Sequence, residues 1–270
     1  MLRALYDEPR AVRAVGRLAS IESLVPALAP VAGAWIVAEA GWRATFDTVA
    51  FLSLLLAVTL AVLIRRLPEI APVAASGGFA RLLRDPVFLR YSLSHAFTLG
   101  GLLSFVFGAP AVIIRSMGGS IFDFVGMQVT GIAFFIAGAS LAGRLTERIG
   151  PERMIYAGTA LSAAGALAIL AYAADGGDSF YVLWALFVPM NLGLGLRGPP
   201  GFLRAVIAAG GDDARGAALV ILFILLAAAG GTALAAPFIS EGLIAIAAMG
   251  AALSAAAMLC LLLLPPLAER

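Results

Sequence analysis

The chain has 270 residues and a formal net charge of +2, with 62% hydrophobic and 13% charged side chains. An ordinary globular domain has about 45–50% apolar and about 25% charged residues, so 18 basic and 16 acidic side chains are too few to solvate a surface of this size. A soluble fold is excluded, and the composition reads as an all-α integral membrane protein. A single His (His95) and a single Cys (Cys260) leave no disulfide framework, no Cys/His metal site and no cofactor motif. No nucleophile, acid/base pair or metal set converges at one depth, so no catalytic residue is assigned and an enzyme is not expected.

Apolar runs near the ~20 residues a helix needs to cross a bilayer fall at 18–38, 46–64, 91–114, 121–143, 154–174, 180–197, 216–238 and 241–264. In lipid the backbone must satisfy its own hydrogen bonds, so these runs predict eight transmembrane helices. Residues 1–17 carry Asp7, Glu8 and four Arg without a short apolar core, and do not form a signal peptide. If that segment is cytoplasmic, every Arg except Arg43 and Arg115 falls on the cytoplasmic side, a strong positive-inside bias. The expected placement is a multi-pass protein of a bacterial-type inner membrane with both termini in the cytoplasm. Beyond these inner loops there is no basic patch, so nucleic acid is not an expected partner. The lipid bilayer is, and the oligomeric state is not written in the sequence.

The stretch 65–90, with Pro68, Pro72, Gly77 and Gly78, is the one connection long enough to join two bundles. The chain is expected to divide into residues 1–64 (two helices), a linker at 65–90, and a six-helix unit at 91–270.

In the first run Pro26, Pro30 and Gly33 share roughly one helical face, flanked by small residues that let another backbone approach. That segment, Leu24–Ala34, followed by Gly41-Trp-Arg-Ala-Thr-Phe46, resembles the fifth helix of drug:proton antiporters of the major facilitator superfamily, with Ala29 and Ala34 in place of two glycines. Asp85-Pro-x-Phe88, Tyr91 and Ser104–Pro110 resemble the approach to the seventh helix in the Bcr/CflA-type efflux branch. Gly143-Arg-Leu-Thr-Glu-Arg-Ile-Gly150 resembles the superfamily's short inner loop, with Glu147 for the usual Asp; Pro151 and Glu152 interrupt its basic tail. An acid and an Arg there, Glu147 and Arg148, can pair and bias one state of a rocking bundle.

The resemblance implies helices five to twelve of a twelve-helix fold, a partial major facilitator fold of 2 + 6 helices whose first four helices are absent. It implies secondary active transport, proton-coupled efflux of small amphipathic compounds, with protons and a small molecule as partners and an N-terminally truncated chain. The alternative is a non-transporting membrane fragment or a helical scaffold that binds a partner.

Candidate working residues follow from polar and aromatic groups inside the spans. Gln128 and Asn191 are uncharged candidates for a substrate cavity, with Phe105 and Trp184 as aromatic lining; Pro189, Gly193 and Gly195 near Asn191 suggest a backbone opening. His95 and Glu22 are the ionisable groups expected nearest a proton path, each weighed against a plain interfacial contact. Arg197-Gly-Pro-Pro-Gly201 is expected to end a helix abruptly.

Overall fold

A computed structural model describes residues 8–22, 24–63 and 78–268. The described residues form ten α-helices: α1 Glu8–Glu22, α2 Leu24–Ala40, α3 Arg43–Leu63, α4 Gly78–Leu82, α5 Pro86–Ser116, α6 Ile121–Ile149, α7 Pro151–Ala174, α8 Phe180–Ala208, α9 Asp213–Ala235 and α10 Leu243–Leu263. A 3₁₀ segment, Ala236–Glu241, joins α9 to α10. No strand occurs among the described residues.

Local chemistry sets the boundaries. Asp85 caps α5, its Oδ1 accepting from the amides of Val87 (2.9 Å) and Phe88 (3.2 Å), with Pro86 in the first turn, where a missing N–H costs nothing. Ser120 and Asp123 form a reciprocal capping box at the start of α6. Gly150, at φ +83°, turns the chain between α6 and α7 in a conformation other residues resist, and Pro151 starts the next helix. These caps extend the expected spans: the helix read at 91–114 begins at Pro86, inside the expected linker, and the one read at 121–143 runs to Ile149.

Seven helices are long and apolar enough to cross a membrane: α3, α5, α6, α7, α8, α9 with its 3₁₀ extension, and α10. The eighth expected crossing, at 18–38, includes residue 23, which lies outside the described residues. Its described parts belong to α1, which carries Arg10, Arg13 and Arg17, and to the 17-residue apolar α2.

Helices α5 to α10 pack as a bundle in which α8 lies against α5, α6 and α7, while α5 also packs on α9 and α10. Side chains alone do not set these approaches. A Cβ added at Gly158 would lie 2.7 Å from the Gly193 carbonyl oxygen, and one at Gly138 would lie 2.7 Å from that of Leu192. Small residues at such crossings let backbones meet where lipid supplies no hydrophobic drive between helices. Gly193 and Gly195 therefore serve close packing within a continuous α8, and the backbone opening expected near Asn191 is absent.

The expected stop at Arg197–Gly201 is corrected as well: α8 continues through Pro189, Pro199 and Pro200 to Ala208. Proline is tolerated inside a packed membrane helix because neighbours compensate for the lost backbone bonds, and Pro199 and Pro200 are both buried. Apart from the bundle, α1 lies against α6 and α8, α2 touches α1 and α6, and α3 packs on α2.

Candidate functional site

Between α5, α6, α8 and α9, with α1 across one side, lies a cavity of about 450 Å³. Its wall is mostly aliphatic: Leu99, Leu102, Leu103, Ile132, Leu194 and Ile224 among others, with the rings of Phe135 and Phe202. Val15 and Leu18 of α1 complete it. Three polar side chains enter this wall, His95, Gln128 and Asn191, and no acid does among the described residues. That is the usual makeup of a small-molecule site, an apolar enclosure with a few placed polar groups.

The three polar groups differ in how they are held. Asn191 Nδ2 donates to the Phe187 carbonyl one turn back in its own helix, 3.0 Å. His95 Nδ1 and Gln128 Oε1 are buried without a hydrogen-bond partner. The His95 ring sits 5.9 Å from that of Phe202. Buried polar atoms of this kind are costly unless something binds them.

Phe105 and Trp184, expected in the cavity lining, lie elsewhere. Phe105 is 1% exposed and stacks on Phe187 at 5.7 Å in the core nearer the α5–α6 connection. Trp184 packs on Phe180, ring centroids 5.3 Å apart, and closes over Gly126. Residue type does not give helix rotation, and rotation directs both rings into packing.

The loop motif also departs from the expected pairing. Glu147 forms its ion pair with Arg13 of α1. The side chain of Arg13 also lies directly over Gly143, so a Cβ there would collide with it. Arg148 sits in the last turn of α6, and Gly150 makes the turn described above. Pro26 and Pro30 lie within α2 and Glu22 ends α1, but their side chains fall outside the described residues. A Cβ at Gly33 would meet nothing within 4 Å, so among the described residues this glycine serves no close packing.

Two arrangements escaped the sequence reading. Arg197, read as an inner-loop residue, is fully buried within α8. Its Nη1 donates to the Ser94 carbonyl (2.9 Å) and to Thr98 Oγ1 (3.3 Å), and its Nη2 to Ser94 Oγ (3.1 Å). The available signal was a glycine four residues away on either side, Gly193 and Gly201. A Cβ at Gly201 would stand 2.7 Å from Arg197 Nη2, so its absence clears space for the guanidinium.

The second arrangement is a latch at the α6–α7 end of the bundle. Arg90 Nη2 donates to Glu152 Oε2 at 3.0 Å, and Tyr91 donates to the other oxygen of the same carboxylate. Arg90 Nη1 reaches the carbonyls of Leu261 and Leu264 (2.6 Å to Leu264), and the Leu267 amide donates to Tyr91 Oη at 2.9 Å. Glu152, which breaks the family's basic tail, thereby ties α5 and α7 to the segment that follows α10.

Comparison with known proteins places this architecture. Residues 1–232 match the model of the Major Facilitator Superfamily. The chain is 25% identical over 162 residues to a bicyclomycin resistance protein homolog of Haemophilus influenzae, covering 57% of this chain and 40% of that protein. It is 30% identical over 174 residues to the multidrug transporter MdfA of Edwardsiella piscicida, covering 62% and 42%. Thus the chain spans about two-fifths of the length of the curated relatives it matches. A crystal structure of a bacterial homologue of the iron transporter ferroportin, in its outward-facing state, superposes with a TM-score of 0.69. At 17% identity, over 96% of this chain and 65% of that one, it shows the fold alone. With a family match running through most of its length and a helical fold to agree with it, the chain belongs to the major facilitator superfamily.

Proposed function

We propose that this chain carries the ligand-binding bundle of a secondary active transporter that moves small amphipathic compounds out of the cell in exchange for protons. The observation that carries the reading is the apolar cavity with its three polar groups, enclosed by α5, α6, α8 and α9. Support comes from relatives named for bicyclomycin resistance and multidrug transport. In this reading residues 1–64 belong to a first bundle, 65–90 to a linker and 91–270 to the second bundle, the fifth to twelfth helices of the family's fold. The membrane is the inner membrane, with both termini cytoplasmic. The Gly143–Gly150 segment at the end of α6, through Glu147 and Arg13, biases the bundle toward the state in which α1 lies across the cavity.

Proteoliposomes test the proposal. With the chain reconstituted and a pH gradient imposed, a lipophilic dye moves against its own gradient, and an uncoupler stops it. Dye movement that ignores the gradient, or none above protein-free vesicles, overturns the reading.

A further inference from the structure

The cavity is drawn out along the helices, and two of its polar groups stand at opposite ends. Helices α6 and α8 run side by side in one direction: Gly126 approaches Trp184, Gly131 approaches Phe187 and Asn191, and Gly138 approaches Leu192 and Leu196. Gln128, between the first two of these glycines, is therefore level with the Trp184–Asn191 stretch of α8. Helix α5 runs the other way, with Phe105 stacked on Phe187 and with Ser94 and Thr98 held by Arg197. His95, beside the Phe202 ring, is thus at the far end. The ten residues of α5 between Phe105 and His95 rise about 15 Å at 1.5 Å per residue. Leu99, Leu102 and Leu194 line the wall between the two ends.

Gln128 and His95 also differ from the third polar group in how they are held. Asn191 donates to the Phe187 carbonyl, whereas neither Gln128 Oε1 nor His95 Nδ1 has a partner among the described residues. Both atoms are buried, on side chains that line the cavity. The last torsions of Gln and His are broad and roughly two-fold, so each head can turn to meet a bound molecule. A buried polar atom left unbonded is costly, and a ligand with a hydrogen-bonding group at each end relieves both costs together. A hydroxyl both donates and accepts, so it suits Gln128 Oε1 and either nitrogen of His95.

We propose that the cavity selects rod-shaped compounds with a hydroxyl or amide at each end, met at one end by Gln128 and at the other by His95, over compounds polar at one end only. The apolar body of the ligand rests on Leu99, Leu102 and Leu194. The inference rests on the cavity being the ligand site of the transporter proposed above, and the test separates the two.

The probes are biphenyldimethanol, with a hydroxymethyl group at each para end, and its one-ended counterpart, in which a methyl replaces one hydroxymethyl. Equilibrium dialysis against the whole chain in lipid nanodiscs, corrected with protein-free nanodiscs, measures both. The expected result is saturable binding of the diol about tenfold tighter than of the one-ended compound. Gln128→Leu and His95→Leu each remove that preference, and Leu99→Trp, which fills the wall between the ends, abolishes binding of both. Circular dichroism melting reports whether each variant is folded; if none folds, the unaltered chain and its two probes still decide. One-ended binding as tight as that of the diol, or a preference that persists in either Leu variant, overturns the two-ended selection and leaves the ligand site standing. Binding that survives Leu99→Trp, or no saturable binding of either probe, overturns the cavity as a ligand site and this inference with it.

Discussion

Helices α3 and α8 are both apolar enough to cross a bilayer, yet they are built for opposite surroundings. No residue of α3 is buried, and Phe51, Leu54, Leu56 and Val62 present their side chains on every side. Helix α8 buries more than half of its residues, carries glycines where α6 and α7 approach, and holds Asn191 and Arg197 inside. Hydropathy is therefore enough to put a helix in lipid, but it does not choose neighbours. Small residues, and polar groups that find partners, make that choice.

The largest expected effect comes from truncating a side chain in the bundle that looks, by type, like its neighbours in the membrane. Phe105→Ala removes a ring that is 1% exposed and stacked on Phe187, and should cost about 3–5 kcal/mol. Phe107, two residues on and 60% exposed, should tolerate Ala within about 0.5 kcal/mol. Denaturant unfolding in detergent, followed by tryptophan fluorescence, reads both. Equal effects would mean that α5 is rotated from the face described.

Next is the glycine contrast. Gly193→Val puts a branched side chain where even a Cβ would lie 2.5 Å from Ser162 N, and overpacking of this kind costs about 1–3 kcal/mol. Gly33→Val, with nothing within 4 Å of the added Cβ, should be neutral or slightly stabilising. Melting temperatures of the two variants compare the regions directly. A destabilising Gly33→Val would reveal a tight neighbour for α2 that the described residues do not supply.

The same contrast explains what could be read in the sequence. Long apolar runs mark membrane helices because the bilayer sets their length, and seven of the eight expected crossings stand. The abrupt stop at Arg197–Gly201 failed because proline rules for exposed helices do not hold between packed neighbours. With it went the role of Arg197, read as a loop charge. Gln128 and Asn191 stood out as polar residues amid apolar ones, and they face one cavity. Phe105 and Trp184 did not follow, since residue type gives no helix rotation. The partners of Glu147 and Glu152 lie on elements distant in sequence, and no local spacing announces them.

An effect of similar size, but confined to one end of the bundle, is expected at the latch. Glu152→Gln keeps the shape but weakens the charge-assisted bonds from Arg90 and Tyr91, for about 1.5–3 kcal/mol. Hydrogen exchange distinguishes this from a general loss: the Leu267 amide, held by Tyr91 Oη, should lose protection while the amides of α8 keep theirs. Uniform loss along the chain would mean that the carboxylate supports the whole bundle and not its end.

The smallest effect is the one that the comparison most depends on. Leu54 in α3 is 64% exposed, and among the described residues α2 is the helix that packs beside α3. In the membrane that exposed surface meets hydrocarbon as apolar as itself, so Leu54→Ala exchanges lipid contacts for lipid contacts and should change stability by less than about 0.5 kcal/mol. Unfolding from nanodiscs checks this, because detergent could bind the exposed face and blur the result. A loss of about 2 kcal/mol or more, the scale of a buried Leu→Ala change, would show that this face has a protein neighbour. Helix α3 would then be chosen by contacts in the same way as α8.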